Sequence, residues 1–375
     1  MKKSKGSRTG RVLTAAVLAF VFAIVFTAPA FAEETYMPQC YAPLSKDTKV
    51  IKYPKKDPPY KLAFVNGFAG NAWRIQTIQT IKAWGLREEN KKFIKELKIV
   101  STGTDVAAQI AAVDNFIAAG FDGITFIAVN PTAFIPVIKR AKEAGTVLVP
   151  FDNTLDTDQV VQVNENMLEF GAYLAESAIK HLGPDPKGTV LEVRGVVGNN
   201  TDRDRHLGAQ AWIKKNAPNL KVVEVVGNWD TGTVQKVVAD AIATHGKFDA
   251  IFCQHGTAGA INAVLDAKHP IIPISGDPEN GVCMLLAKHK IPGGTVAQST
   301  SLGALAMSVS VILLQGNPLP QEVRLPTPTE DNANLKDGVN YFSNLPPTWF
   351  NGINFGPCGT SFTAQEILKQ TSDNM

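Results

Sequence analysis

The sequence predicts an α/β protein built from two similar units in tandem, each with a parallel central sheet. From about Tyr60 onward, short β-rich runs alternate with stretches of helical periodicity, as in strands joined by crossover helices. This rhythm occurs twice, and no Pro/Gly-rich linker separates the two series near residues 162–169. With 375 residues, 45% hydrophobic and 19% charged, the chain is too apolar and too weakly charged to be disordered.

The strands are predicted from short apolar runs. The first series comprises residues 61–65, 97–101, 123–128, 146–151 and 159–163. The second comprises residues 189–193, 221–226, 248–253, 271–275 and 295–298. Helical spacing lies between them, for example at Ile110, Val113 and Ile117, after the capping candidate Asp105 and before Gly120. A last helix is expected to begin at the cap Thr363.

The first 32 residues have the pattern of a secretory signal peptide. Five bases precede an apolar run over residues 12–26, and Ala30-Phe31-Ala32 provides a small-x-small cleavage pattern before two glutamates. We therefore expect export and cleavage after Ala32, the alternative being an uncleaved N-terminal anchor. Removing five of the 37 bases leaves 32 against 34 acids, a net charge of about −2. This charge argues against a nucleic-acid partner.

Both ends of the mature chain differ from the α/β body. Residues 33–60 and the stretch after residue 325 are rich in proline and show little periodicity, so they are expected to be extended segments. Cys40 and Cys358 lie in these segments, and an oxidising compartment favours a disulfide between them. Four cysteines allow three pairings, and all four could instead be reduced. No metal site is expected, since no C-x-x-C pair or zinc-ligand histidine spacing occurs.

Polar and aromatic residues follow the strands of both series, where open parallel sheets bind ligands. Asp152 and Asp277 each follow a run buried on both faces, so each carboxylate either caps the next helix or faces a ligand. The repetition in both units favours a ligand. Trp73 lies away from the stripe of isoleucines on its helix, so it either faces the cleft or packs under a loop. Trp229 lies in a polar turn.

No catalytic site is predicted. The sequence lacks a G-x-S-x-G elbow, a phosphate-binding P-loop, an H-E-x-x-H motif and a three-glycine dinucleotide motif. A dyad of His255 and Asp277 would lack a nucleophile. We therefore expect a binding protein that needs no cofactor, and not an exported enzyme.

These motifs, taken together and in order, resemble the periplasmic sugar-binding proteins of ABC importers, the ribose-binding-like, type I group. The likeness covers about residues 61–324. It is carried by Gly70-Asn71-Ala72-Trp73, Asn130-Pro131-Thr132, Pro150-Phe151-Asp152, Asp202-Arg203-Asp204-Arg205, Asn228-Trp229-Asp230, Gln254-His255, Ser275-Gly276-Asp277 and Val296-Ala297-Gln298.

The resemblance implies two Rossmann-like lobes joined by three hinge crossings, with a ligand cleft between them. Lobe 1 would comprise residues 61–165 and 299–323, lobe 2 residues 166–298 and 324–345, and the C-terminal extension residues 346–375. The implied sugar contacts are Asn71, Trp73, Asn130, Asp152, Arg203, Trp229, His255, Asp277 and Gln298.

The sequence departs from the family pattern at three of these loops. Arg74 stands where the family often has a second aromatic residue, Asn153 where it has an arginine, and His255 where it has an asparagine. Arg74 and Asn153 are therefore further candidates for ligand contacts. Because Arg74 is an additional cation, a sugar acid is a candidate ligand as well as a sugar or polyol. The resemblance implies a periplasmic monomer that partners ABC permease subunits. The alternatives are a periplasmic sensor and a transcriptional regulator, but a signal peptide occupies the place of the regulator's DNA-binding segment.

Overall fold

The computed structural model describes Met1, residues 36–352 and residues 354–375. The predicted signal peptide and its cleavage site after Ala32 therefore lie, Met1 apart, outside the described residues. Over the part of the chain that is described, none of the helices combines the length and apolar composition needed to cross a membrane.

Residues 36–165 build the first parallel sheet and its helices. In chain order the elements are β1 (Ala42–Pro43), β2 (Val50–Ile51), β3 (Tyr60–Asn66), α1 (Ala72–Leu86), α2 (Glu88–Lys91), β4 (Ile94–Ser101), α3 (Val106–Ala118), β5 (Gly123–Phe126), α4 (Ile135–Ala144), β6 (Val147–Pro150) and β7 (Gln162–Glu165). The sheet has the order β4-β3-β5-β6 and is parallel throughout. Asp105 caps α3, as predicted, by accepting a hydrogen bond from the Ala108 amide.

The second half repeats this arrangement. Its elements are α5 (Met167–Ile179), β8 (Gly188–Arg194), α6 (Asn200–Asn216), β9 (Leu220–Val226), α7 (Thr231–His245), β10 (Ala250–Cys253), α8 (Thr257–Asp266), β11 (Ile274–Ser275), α9 (Asn280–His289) and β12 (Gly294–Val296). The sheet order is β11-β10-β8-β9, again parallel. Strand β11 is shorter than predicted because Pro270 and Pro273 have no amide hydrogen for the ladder.

The remaining elements follow the second sheet in the chain. They are α10 (Leu302–Leu314), β13 (Leu319–Pro320), β14 (Glu322–Leu325), β15 (Thr329–Asp331) and α11 (Ala364–Leu368). Helix α10 packs on α1 and the first sheet, β14 pairs with β7, and β15 pairs with β12. The chain thus crosses between the lobes three times, after β7, β12 and β14.

Each sheet lies between two layers of helices, and these layers bury both of its faces. In the first sheet, Phe64 packs toward the layer that contains α1 and α10, while Val65 packs toward α3 and α4. In the second sheet, Val193 packs with α7 and α8, while Val190 packs with α5 and α6. Near-continuous apolar runs are typical of such doubly covered parallel strands.

The described parts of both terminal extensions pack against the body. Strand β1 pairs with β14, β2 pairs with β13, and the Met375 backbone exchanges two hydrogen bonds with Ile99 at the edge of the first sheet. Cys40 and Cys358 form a disulfide, with their Cα atoms 4.8 Å apart, while Cys253 and Cys283 are buried free thiols. The predicted cap Thr363 starts α11 in a capping box with Glu366.

Candidate ligand-binding site

A small cavity of about 40 Å³ lies where the carboxyl ends of the two sheets face each other. Residues that follow the strands of both lobes form most of its wall, as expected for parallel sheets. The lining residues are Asn71, Trp73, Arg74, Asp152, Phe170, Thr201, Arg205, Trp229, Gln254, His255, Asp277, Gln298 and Phe350.

Trp73 enters the cavity from the first turn of α1. Asn71 caps this helix by accepting a hydrogen bond from the Arg74 amide at 2.9 Å, which fixes the direction of the turn. The Trp73 indole nitrogen donates to the Gln298 carbonyl at 2.9 Å, and this hydrogen bond holds the ring beside Gln298. The predicted isoleucine stripe is incomplete, since Ile78 and Ile81 are fully buried but Ile75 is exposed.

Trp229 enters the cavity from the other lobe, in the turn before α7. The residue has φ of 55°, a left-handed conformation that costs energy for a bulky side chain, and the indole packs directly against Gly195. A Cβ at Gly195 would lie 2.0 Å from the Trp229 Nε1, so only glycine leaves room for this ring. The Nε1 donates to Gln254 Oε1 at 3.3 Å.

Asp152 is the centre of a buried polar network. Its carboxylate lies 3.3 Å from the Arg74 guanidinium and accepts a hydrogen bond from Gln298 Nε2 at 3.0 Å. Arg74 also donates to Asn66 Oδ1 at 3.0 Å. Burial raises the pKa of Asp152 despite the nearby arginines, and burial lowers the pKa of Arg74 despite Asp152. The Asp152 side chain faces the cavity and caps no helix.

His255 and Asp277 form a second buried pair, with 3.0 Å between Nδ1 and Oδ2. Thr257 Oγ1 also donates to this carboxylate, at 3.2 Å. Burial alone would raise the pKa of Asp277, but the charge and hydrogen bond of His255 lower it overall. Burial alone would lower the pKa of His255, but Asp277 raises it. Both groups therefore favour their charged forms.

Arg205, not Arg203, is the arginine of α6 that lines the cavity. Arg205 donates to Gln298 Oε1 at 2.6 Å and to the Gln254 carbonyl at 3.2 Å, and its guanidinium lies 3.8 Å from the Phe170 ring centre. Burial lowers the pKa of Arg205 to about 10. Arg203 is instead half-exposed and pairs with Asp156 and Asp204.

The geometry of helices α5 and α6 explains this correction. Residues 203 and 205 point to nearly opposite sides of a helix, so only one can face the cavity. Gly171 and Gly208 let the two helices approach closely: a Cβ at Gly171 would lie 1.8 Å from the Arg205 carbonyl oxygen, and one at Gly208 would lie 2.0 Å from that of Leu168. This close packing turns Arg205 inward.

Two other predicted contacts do not line the cavity. Asn130 folds its side chain back onto its own loop, accepting hydrogen bonds from the Thr132 and Ala133 amides at 2.9 Å. Such an Asx turn satisfies the oxygen that a ligand would otherwise use. Asn153 is buried behind Asp152, and its carbonyl accepts from the Ala128 amide. Both positions support the loops that carry the lining residues.

Besides Arg205, four lining residues were not predicted: Phe170, Thr201, Gln254 and Phe350. The position of Gln254, next to His255 at the end of a strand, could have indicated its role. Thr201 donates to the Asp152 carbonyl at 3.0 Å, and Phe170 supports Arg205 from α5. Phe350 comes from the C-terminal extension, where no periodic pattern indicates a contact with either lobe.

Outside the cavity, Glu192, His206 and Glu224 bring potential metal-ligand atoms within 4.8 Å of one another. Protein partners already occupy these groups: His206 and Gln210 hydrogen-bond to Glu192, and Arg194 pairs with Glu224. We assign no metal to them.

The sequence profile of the family described as periplasmic binding protein domain matches residues 62–318, which include most of both lobes and the first two hinge crossings. The chain belongs to the periplasmic binding protein family. Its parallel sheets have the type I fold of that family. Solved structures with a similar fold include solute-binding proteins of ABC transporters.

Individual relatives are distant. The galactofuranose-binding protein of Escherichia coli is 29% identical over 56% of this chain and 67% of its own length. A xylitol-binding protein of Mycolicibacterium smegmatis is 24% identical over 64% of this chain and 70% of its own. The solved structure of an ABC transporter solute-binding protein from Thermobispora bispora superposes with a TM-score of 0.67, at 24% identity, over 72% of this chain and 84% of that one.

Proposed function

We propose that this protein is the solute-binding receptor of an ABC importer, which captures a small neutral sugar or polyol in the periplasm and delivers it to the membrane permease. The observation that carries the proposal is the meeting of Trp73 and Trp229, from opposite lobes, in one cavity with the buried Asp152 and Asp277.

The types of side chain suit a sugar. A sugar ring has an apolar C–H face that packs on an indole, and its hydroxyl rim donates to carboxylates and accepts from arginine or amide groups. Buried carboxylates form strong hydrogen bonds with hydroxyls because little water competes. The relatives whose names specify galactofuranose and xylitol bind ligands with the same hydroxyl-rich, uncharged chemistry.

The charges of the cavity support an uncharged ligand first and a sugar acid second. Arg74 pairs with Asp152, and His255 pairs with Asp277, so two of the three cations are compensated. Arg205 donates to two neutral oxygens, those of Gln254 and Gln298. Arg205 thus lines the cavity without a direct ion pair to a described carboxylate, and this favours a sugar carboxylate as the second candidate.

The proposal includes export, cleavage after Ala32, a monomeric state, no turnover of the ligand and no nucleic-acid partner. A periplasmic sensor that passes the same ligand to a signalling receptor is the alternative. Loss of uptake on deletion of the gene, with restoration by the wild-type gene only when the permease is present, would distinguish transport from signalling.

A thermal-shift screen of the ligand-free protein tests the binding function. The panel contains D-ribose, D-galactose, xylitol, the corresponding sugar acids and the disaccharide lactose. Ligand at 100 times its Kd stabilises a folded protein by about 2.7 kcal/mol. Calorimetry then gives affinities, and chromatography of the incubated ligand tests for a product. No binding by any panel member, or formation of a product, would contradict the proposal.

A further inference from the structure

The segment over residues 346–351 contributes to the cavity although it lies beyond the family match, which ends at residue 318. Phe350, in this segment, is 2% exposed and is one of the lining residues. Its ring centre lies 5.6 Å from that of His255, at an interplanar angle of 37°. Beside Trp73, Trp229 and Phe170, the cavity therefore has a further aromatic side chain that comes from outside the family match.

The first lobe fixes the backbone of Phe350 through a single side chain. Gln76, on α1 one turn after Trp73, accepts from the Phe350 amide at 2.9 Å and donates to the Phe350 carbonyl at 3.1 Å. Gln76 is itself buried and also donates to Thr300 Oγ1 at 2.9 Å. A side-chain amide that holds both backbone groups of one residue leaves little freedom at that residue.

The second lobe fixes the same segment through the start of α9. The Asn280 amide donates to the Trp349 carbonyl and the Gly281 amide to the Pro347 carbonyl, both at 2.7 Å. The Asn351 side chain donates to the Pro278 carbonyl at 2.9 Å. Pro278 follows Asp277 directly, so the loop that carries this carboxylate also carries the segment.

We propose that Phe350 contacts the ligand and limits its length, so that the site accepts one sugar ring or a polyol of similar size and excludes a disaccharide. This inference rests on the proposed function. The backbone of Phe350 cannot shift without breaking the hydrogen bonds to Gln76 and to α9, and its buried ring cannot rotate aside for a second sugar ring without leaving its contact with His255. The same ring offers an apolar face to the ligand's C–H groups.

The test compares Phe350→Ala with Trp349→Ala. Trp349 is the neighbouring residue and 3% exposed, but its side chain does not line this cavity. Calorimetry measures affinity for whichever of D-ribose, D-galactose and xylitol binds best, and for lactose. We expect Phe350→Ala to weaken binding of the small ligand at least tenfold. The preference of the protein for this ligand, measured as the ratio of its affinity to that for lactose, should also fall at least tenfold. Trp349→Ala should leave that preference unchanged.

Two outcomes would overturn this inference but leave the proposed function intact. One is an unchanged preference for the small ligand over lactose in Phe350→Ala. The other is an equal change of that preference in both variants, which would mean that the segment only supports the cavity wall. If Phe350→Ala does not fold, Phe350→Leu replaces it, because leucine keeps an apolar side chain but leaves space where the ring was. A wild-type protein that binds no sugar or polyol would instead contradict the proposed function.

Discussion

The Asn71 side-chain amide donates to the Trp229 carbonyl at 3.4 Å, and this contact joins the loop after β3 of one lobe to the turn before α7 of the other. Asn71 also caps α1, the helix that carries Trp73. One residue thus fixes the first indole and lies beside the second. The two rings can therefore act on the same ligand only while the lobes face each other in this arrangement, which is the geometry expected of hinge closure.

Trp229→Ala should weaken binding of the best panel ligand by about 1–3 kcal/mol, the size of other aromatic stacking losses. The matched control is Trp212→Ala, in the same lobe, where the indole is half-buried and outside the cavity. Calorimetry gives the affinities, and the Tm of each ligand-free variant shows its stability. Retained affinity in a destabilised Trp229→Ala protein would show that Trp229 only packs against Gly195.

Arg205→Gln should abolish measurable binding or weaken it at least a hundredfold, whereas Arg203→Gln should bind like the wild type. Arg205 lines the cavity and organises Gln298, while Arg203 pairs with surface carboxylates, and such exposed pairs contribute little. Calorimetry on the two variants makes the comparison within one helix. Equal loss of affinity in both variants would show that Arg203 also contributes to ligand binding.

The sequence predicts the fold well because the inner strands of both sheets are largely buried. Apolar runs such as those of β3 and β10 need no tertiary information to be recognised, and strand ends correctly place Asp152 and Asp277 at one edge of each sheet. The choice between Arg203 and Arg205, in contrast, needs tertiary information. The mixed-charge run is compatible with either face of α6, and only the close approach of α5 decides between them.

Phe350 shows a second limit of prediction. Its segment has no hydrophobic period, and its place depends on hydrogen bonds to Gln76 and Asn280, which are distant in sequence. Such contacts leave no local pattern in the chain. Asn130 shows the converse, because its position after a strand predicts a ligand contact while its own loop satisfies its side chain.

Asp152→Ala should lower both ligand affinity and the stability of the ligand-free protein. It removes a charge-assisted acceptor from the cavity, a loss of about 2 kcal/mol or more in affinity. It also leaves the buried Arg74 without its carboxylate, and breaking a buried pair costs about 3–5 kcal/mol.

A double-mutant cycle separates these two effects. Arg74→Met in the Asp152→Ala background should recover part of the lost stability, because no buried charge remains, but should not recover affinity. Urea unfolding measures the stability and calorimetry the affinity. Additive stability losses in the double variant would show that Arg74 and Asp152 do not depend on each other.

The ligand-free protein should become less stable as the pH rises from about 6 to about 8, and Glu165 should be a main cause. Glu165 lies on β7 at the first hinge crossing, where its Oε1 accepts from the Ser299 amide and its Oε2 has no hydrogen-bond partner. Burial raises the pKa of Glu165 to about 8, so the folded state keeps the proton that the unfolded state loses near its ordinary pKa of about 4.3.

Across this pH range the folded state therefore binds more protons than the unfolded state, and the free energy of unfolding falls as the pH rises, by on the order of 2 kcal/mol from this group. Burial and Asp277 raise the pKa of Glu279 to about 7, so Glu279 acts in the same direction. His255 does so too, because its raised pKa stabilises a charged form that is lost at higher pH.

Glu165→Gln removes the contribution of Glu165 and keeps the shape of the side chain. The urea-unfolding free energy of this variant should therefore vary less between the two pH values than that of the wild type. Glu143→Gln, at an exposed position on α4, is the control and should keep the full pH dependence. An unchanged pH dependence in Glu165→Gln would mean that Glu165 is already ionised in the folded protein.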